Sequence, residues 1–452
     1  MSKNDLKKQS VEKWYVERFR RFEASLNGSS RTPFHRVRRK AIEHFERLGF
    51  PTTRDEEWKY TSVAPLTAQW FDMAAAAGTR AEIDLSPFLF EGMDCSLLVF
   101  VDGFFSEELS NFSSAVGVTV GSLREAFQRG DARVNDYLAA LAPLEKEAFT
   151  ALNTAFTRDG SFVYVEKNVA VDQPLHIVHL FSGQKNELAL HPRTLIIAGE
   201  GSRFRYAESF HHLDGGVYFQ NTVSEVFVQE NASVEYIKIQ DESRSAFHIS
   251  NLNVRQERNS RFNSVYIDLG GGLVRNNLNV TLNDSNCETH LFGFYLGGEN
   301  QLIDNHTFID HAKPNCFSNE LYKGILGGRA KGVFNGKILV RPDAQKTNAL
   351  QSNKTLLLSR DASINAKPQL KIYADDVKCT HGATIGQLDE EALFYLRSRG
   401  IDLNSAMAML RYAFVSDVFA SIPLPEAQQK LADMILRRLK TIETENGDGP
   451  KE

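Results

Sequence analysis

The sequence predicts a mainly β protein whose core is a parallel β-helix, with a helical and mixed region before it and a helical domain after it. The first observation behind this is a repeat of polar turns. Gly-Glu-Gly-Ser ends at residue 202, Glu-Asn-Ala-Ser at 233, Glu-Arg-Asn-Ser at 260, Asp-Ser-Asn-Cys at 287, Lys-Pro-Asn-Cys at 316, Asp-Ala-Gln-Lys at 346 and Asp-Val-Lys-Cys at 379. The last residues are separated by 31, 27, 27, 29, 30 and 33. The second observation is that short alternating strands flank the turns and no unit contains a helical pattern, which implies a solenoid of strands. The third is that both flanks of the repeat show apolar residues at three- and four-residue spacing. These observations divide the chain into 1–160, an N-terminal helical and α+β region; 161–389, the β-helix; 390–442, a C-terminal helical domain; and 443–452, a polar tail expected to be disordered.

In the N-terminal region, Val11, Trp14, Tyr15, Phe19, Phe22 and Leu26 recur at helical spacing. Pro33 interrupts, and the pattern resumes at 42–48, so a helical pair is expected. The charged stretch around Trp58 and Tyr60 reads as a surface turn with an aromatic anchor. Residues 97–102 and 117–122 have strand character, and 123–127 and 144–156 have helical character.

In the core, seven coils at ~4.8 Å per stacked strand make a rod of roughly 30 Å, whose ends need covers. The flanking regions are expected to supply them. Ser202, Ser233, Ser260, Cys287, Cys316 and Cys379 fall at one turn position. A small, weakly polar side chain that fits this corner explains Cys287 and Cys316, because buried free cysteine behaves as a small hydrophobe. Cys379 differs because His381 lies two residues on, and in an extended chain the two point the same way. A thiolate and an imidazole suit zinc, copper or iron, yet two ligands are about half of the usual ~4. The remainder must come from elsewhere. His211, His212, His290, His306 and His311 are weaker ligand candidates, the alternative being satisfied polar groups on the outside of the rod.

In the C-terminal part, residues 389–400, 405–420 and 427–439 are helical in pattern. Ala406, Met409, Leu410, Ala413, Phe414 and Val418 form a stripe that caps the rod.

Composition narrows the function. The chain has 452 residues, 42% of them hydrophobic, and a formal net charge of −5, with no Lys/Arg cluster. That disfavours a nucleic-acid partner. Four widely spaced cysteines without a Cys-x-x-Cys pair write neither a zinc ribbon nor a resident four-thiolate cluster and are compatible with a reducing compartment. No secretion signal or membrane-spanning run is evident, so a cytoplasmic location is expected. The segment Gly332-Val-Phe-Asn-Gly-Lys-Ile338 is one residue short of a phosphate loop and has Ile where Ser or Thr would meet magnesium. No nucleotide is therefore expected on this chain, and no common hydrolase motif appears.

Several segments carry a family resemblance: Asn319-Glu-Leu-Tyr-Lys-Gly-Ile-Leu326, Gly332-Val-Phe-Asn-Gly-Lys-Ile338, Gln345-Lys-Thr-Asn-Ala349, Lys367-Pro-Gln-Leu-Lys-Ile-Tyr-Ala-Asp-Asp376, Cys379-Thr-His-Gly-Ala-Thr384 and Phe394-Tyr-Leu-Arg-Ser-Arg-Gly-Ile401. Together they resemble the SufB/SufD family of iron–sulfur cluster assembly proteins, specifically over residues 190–420, with Glu56-Glu-Trp-Lys-Tyr60 extending the match. The SufD branch fits better than the SufB branch, which typically has Glu after the equivalent histidine, where this chain has Gly382. By register, the cysteine that SufB uses falls near Asn353.

The resemblance implies a right-handed parallel β-helix and a non-catalytic scaffold subunit of a SufBCD complex. The expected partners are a SufB-like paralogue, met through the β-helices, and a SufC-like ABC ATPase, met through the C-terminal helical domain. Edge strands on a β-helix can also pair with another copy of this chain, as a homodimer, when the paralogue is missing, and the sequence leaves open whether they do. The resemblance also implies a transient iron–sulfur cluster or iron shared with the partner subunit, with His381 as an iron ligand or orienter and Cys379 as a secondary ligand or sulfur relay. Reduced flavin is implied for the complex as a whole, with no residue here assigned to it. A purely structural adaptor for the ATPase, in which both residues are dispensable, is one alternative. The other is a β-helix carbohydrate-active enzyme, which calls for clustered carboxylates on neighbouring coils.

Overall fold

A computed structural model of the protein describes residues 10–26, 32–74, 83–112, 115–185 and 187–445. Its core is a mainly β, parallel solenoid of two facing sheets, one of twelve strands and one of ten, in which each coil contributes to both. Eight coils stack, from Gly160–Val165 with Leu175–Phe181 to Ser363–Ala366 and Gln369–Ile372 with Lys378–Gly386. The coil preceding the first polar turn makes the count one larger than the repeat alone suggests.

The turns explain the stacking. Gly201, Asn231, Asn259, Asn286, Asn315 and Lys346 all adopt positive φ, a conformation that Gly and Asn tolerate best. Asn259 Nδ2 donates to Asn231 Oδ1 (2.9 Å) and Asn286 Nδ2 to Asn259 Oδ1 (3.1 Å), so a short asparagine ladder runs along this corner. The residue after each left-handed position turns inward.

This corrects the expected turn position at two places. Ser233 pairs with Arg203 and Arg261, which places Ala232, one residue earlier, over Ser202 and Ser260. Likewise Cys379 pairs with Ala349, which lies two residues past the corner position of Thr347. Backbone conformation, rather than a small side chain, sets the register.

Both faces of each sheet are covered over part of their extent, while Leu350 and Lys354 on the outer face of the ten-stranded sheet stay exposed. Inward residues such as Tyr206, Leu252, Leu278, Leu291 and Tyr322 fill the solenoid. The outer face of the twelve-stranded sheet, including Phe219 and Ile249, packs against Trp14, Phe45 and Phe149 of the N-terminal region. The outer face of the ten-stranded sheet, including Ile237, Ile267 and Phe294, packs against Val415, Phe419, Leu431 and Ile435 of the C-terminal helices. The C-terminal helices therefore lie along the flank of the rod and do not cap it. At the N-terminal end, strands Ser96–Val101 and Val118–Ser122 extend the two sheets. The C-terminal end has no such addition among the described residues.

Three helical expectations change. Pro33 begins the helix Pro33–Leu48 instead of interrupting it, since the first turn of a helix tolerates a missing N–H. Ala148–Phe156 starts later than its apolar pattern, where the Glu147 carboxylate accepts from the Thr150 amide. In Leu403–Ala420 the buried positions are Ala406, Ala408, Arg411, Val415, Val418 and Phe419, while Met409 and Ala413 face solvent. The sheet and the helix Pro425–Glu445 compete for this segment, and Arg411 turns inward to donate to Leu439 O. Of the expected tail, 443–445 continue that last helix, and 446–452 lie outside the described residues. No helix among the described residues is long and apolar enough to cross a membrane.

Candidate functional site: the open last coil

Cys379 and His381 sit on Lys378–Gly386, the terminal strand of the ten-stranded sheet. The strand pairs on one side with Asn348–Leu357, Cys379 opposite Ala349 and His381 opposite Gln351. Cys379 is half-buried and packs against the interior cluster. By strand alternation His381 shares that inward face, yet it is exposed because no ninth coil among the described residues covers it.

Below His381 runs an inward column in register, Leu291, Glu320 and Gln351, each almost fully buried. Gln351 Nε2 donates to Glu320 Oε2 at 2.7 Å. Burial pushes the Glu320 carboxyl up to about 7. Neither residue stands out in the sequence, but the register at the left-handed turns exposes both. Burial also raises the Cys379 thiol above its ordinary value, and a backbone hydrogen bond from Ala349 opposes the shift. Such a sulfur is a thiol until a metal displaces its proton. Asn353, two residues beyond Gln351, is inward and buried and donates to Tyr295 Oη (3.3 Å) and Tyr322 O (3.4 Å).

The other candidates are held by their own neighbours. Cys287 and Cys316 stack at the buried corner, with their sulfurs 3.1 and 3.2 Å from Asp284 O. The hydrogen bond between the two thiols, and burial, push Cys316 up. Gly215 N donates to His212 Nδ1, His290 meets Glu288 Oε1 at 2.9 Å, and His306 meets Asp304 Oδ1 at 3.0 Å. His211 lies against Phe88, with ring centroids 4.8 Å apart and planes tilted by 35°, and its buried Nε2 has no hydrogen-bond partner among the described residues. His311, expected outside the rod, lies inside it and meets Ser318 Oγ at 2.9 Å. Among the described residues no three His, Cys, Asp or Glu side chains gather as a metal site.

The segment that approximates a phosphate loop is part of the strand Lys331–Val340. It has no helix N-terminus to offer a phosphate.

Chemically, the last coil offers one imidazole and one thiol on an inward face at an open end. Two such donors hold a metal only when others join them. The strand edges beside them expose unpaired backbone groups and apolar side chains, with Ile385 52% and Tyr373 64% exposed. Phe394 and Tyr395 are exposed on Glu390–Ser398, a helix with no buried residue.

Comparison with known proteins places this geometry in context. The model of the SufBD core domain of the SUF system for iron–sulfur cluster assembly matches residues 180–414, and that of the SufBD N-terminal region matches 9–177. An iron-sulfur cluster assembly SufBD family protein of Synechocystis is 33% identical over 425 residues, covering 91% of this chain and 93% of the relative. The iron-sulfur cluster assembly protein SufD of Escherichia coli is 30% identical over 424 residues, covering 92% and 95%. A chloroplastic protein of Arabidopsis thaliana is 30% identical over 417 residues, covering 90% and 86%.

Proposed function

The chain belongs to the SufBD family of iron–sulfur cluster assembly proteins, and on that premise we propose that it is a non-catalytic scaffold subunit that builds a nascent cluster together with a SufB-like paralogue and a SufC-like ABC ATPase. The uncovered eighth coil carries this reading. Two sheet edges with free backbone donors and acceptors are templates for another chain. A paralogue seated there continues both sheets and brings further ligands to His381 and Cys379. The same edge pairs a second copy of this chain when the paralogue is missing.

In this role His381 binds or orients iron, and Cys379 is a secondary ligand or sulfur relay. The cluster is cargo, and few exchangeable ligands suit cargo that must leave. The raised thiol keeps Cys379 protonated and unreactive until iron or a sulfur donor arrives. The exposed Phe394 and Tyr395 face of the C-terminal helices suits the ATPase, and any reduced flavin belongs to the assembled complex. Four free cysteines suit work in a reducing aqueous compartment.

The pairing is tested with Ile385→Lys, which puts a charge on the open edge. Co-expression with SufB-like and SufC-like partners should then recover at least about tenfold less of the paralogue, a loss of about 1.4 kcal/mol, while the lone chain keeps its melting temperature. Undiminished co-purification would remove the last coil from the interface.

A further inference from the structure

A separate cleft of about 520 Å³ opens where the N-terminal region rests on the outer face of the twelve-stranded sheet, and it includes no residue of the last coil. That volume is typical of small-molecule sites. Two columns in strand register cross its floor. One is Asn251, Asn277, His306 and Asn335, and the other ends in Asn279, Phe308 and Lys337.

Contacts within the chain set the shape of the cleft. Arg275 lies 3.8 Å over the Trp58 ring and donates to Glu57 O at 2.7 Å and to Asp304 Oδ2 at 2.8 Å. This clasps the segment around Trp58 to the sheet, so no ordering is needed when a ligand arrives.

Its polar groups are unevenly satisfied. Asn277 Nδ2 donates to Asn251 Oδ1 at 2.8 Å. That leaves Asn251, 2% exposed, with a buried Nδ2 that has no partner. A buried donor without an acceptor is unfavourable, and a turn of the Asn251 side chain towards an occupant's oxygen relieves it. Charge is uneven as well. Glu56 is engaged by Lys367, Glu57 by His306, and Asp304 by Arg275 and His306. Asp55 accepts from the Thr52 amide, and Glu147 is occupied at its helix cap. Lys146 and Lys337 line the cleft, and neither makes a close ion pair among the described residues, Lys337 lying 5.5 Å from the Phe308 ring centroid and acting on Glu57 only at longer range.

We propose that this cleft binds a small hydroxylated organic anion, its carboxylate or phosphate between Lys146 and Lys337 and its hydroxyl groups on the Asn251, Asn277 and Asn279 amides. Hydroxyls suit an amide floor because they donate and accept. The two lysines recognise the anion as point charges.

The test is titration calorimetry on the full-length protein with D-glucose 6-phosphate and with citrate. D-glucose and inorganic phosphate serve as the neutral and the purely anionic controls. At least one of the two hydroxylated anions should bind at least about tenfold more tightly than either control. Lys337→Gln and Lys146→Gln should each weaken it about tenfold, and Asn277→Leu should weaken it as well. The exposed Lys354→Gln, on the other sheet, should leave binding unchanged. Lys146 is exposed, so its substitution keeps the test sound if Asn277→Leu unfolds. No binding by either hydroxylated anion, or binding indifferent to both lysine substitutions, overturns the proposal. Inorganic phosphate matching the best probe would reduce the cleft to an adventitious anion site and overturn it too. None of these readouts involves cluster assembly, so failure here leaves the last coil untouched.

Discussion

Replacing Arg193 by Met tests how the N-terminal region is fastened to the solenoid. Arg193 and Glu225 form an ion pair with both side chains fully buried. Arg193 Nη1 also donates to Thr154 Oγ1 (2.9 Å) and Asn153 Oδ1 (3.2 Å). Glu225 accepts the backbone amides of Ala139 (2.8 Å), Leu141 (2.7 Å) and Ala142 (3.2 Å). The pair therefore joins a sheet strand to a helix and to a loop. Met fills similar volume but strands a carboxylate in the interior, and breaking a buried pair in this way costs about 3–5 kcal/mol. The double variant Arg193→Met/Glu225→Leu removes the stranded charge, and what remains is the loss of an acceptor for three amides at about 1–3 kcal/mol each where they stay buried. Urea midpoints for wild type, both single variants and the double variant give the coupling energy of the cycle. A single-variant loss below about 1 kcal/mol, or additive effects, would mean that the pair behaves as a solvated one and does not fasten the N-terminal region.

Three further outcomes follow from the interior. At Gly324 an added Cβ falls 2.2 Å from the Tyr295 ring, and at Gly293 it falls 2.2 Å from Tyr322. Gly324→Ala should destabilise by at least about 1–3 kcal/mol, and a neutral result in thermal unfolding would deny this interleaving. Glu320 has a folded-state value near 7, raised by burial from 4.5. Its contribution to stability is fully present below 4.5 and is lost as pH rises through about 7. The uncharged Glu320→Gln should therefore gain stability relative to wild type between those pH values, and a pH-independent difference would contradict the assignment. His176 and His191 are lowered by burial to about 3, and His211 and His311 to about 4, from 6.5. Their contributions are present above pH 6.5 and are lost as pH falls towards those values. His191→Phe should flatten acid unfolding below pH 6.5, and an unchanged slope would exclude His191.

Much of the fold could be read from the turn period, because each coil needs one residue of left-handed backbone and Gly or Asn usually supplies it. A register set on Ser and Cys misplaces Ser233 by one residue and Cys379 by two. The asparagines at 231, 259, 286 and 315 were the truer markers. Strand patterns do not reveal that the flanking helices lie along the sides, since apolar residues stand on both faces of many strands. Ile237, for example, packs outward against the C-terminal helices, while Tyr236 points inward. Cys379 and His381 were legible because two ligand-type side chains stand two residues apart on one strand. The open coil around them was not, since edge position depends on tertiary arrangement. The cleft was illegible for the same reason, as Trp58, Lys146, Asn277 and Lys337 converge only in space.

Whether the last coil holds iron is decided by iron and cluster content after anaerobic reconstitution of this chain with SufB-like and SufC-like partners. Wild type, Cys379→Ser and His381→Ala would be compared as intact complexes. The last coil as ligand site predicts a large loss of cluster for His381→Ala and a loss or altered absorbance for Cys379→Ser, with subunit composition unchanged. Full cluster content in both variants would contradict it and leave the chain as a structural adaptor for the ATPase.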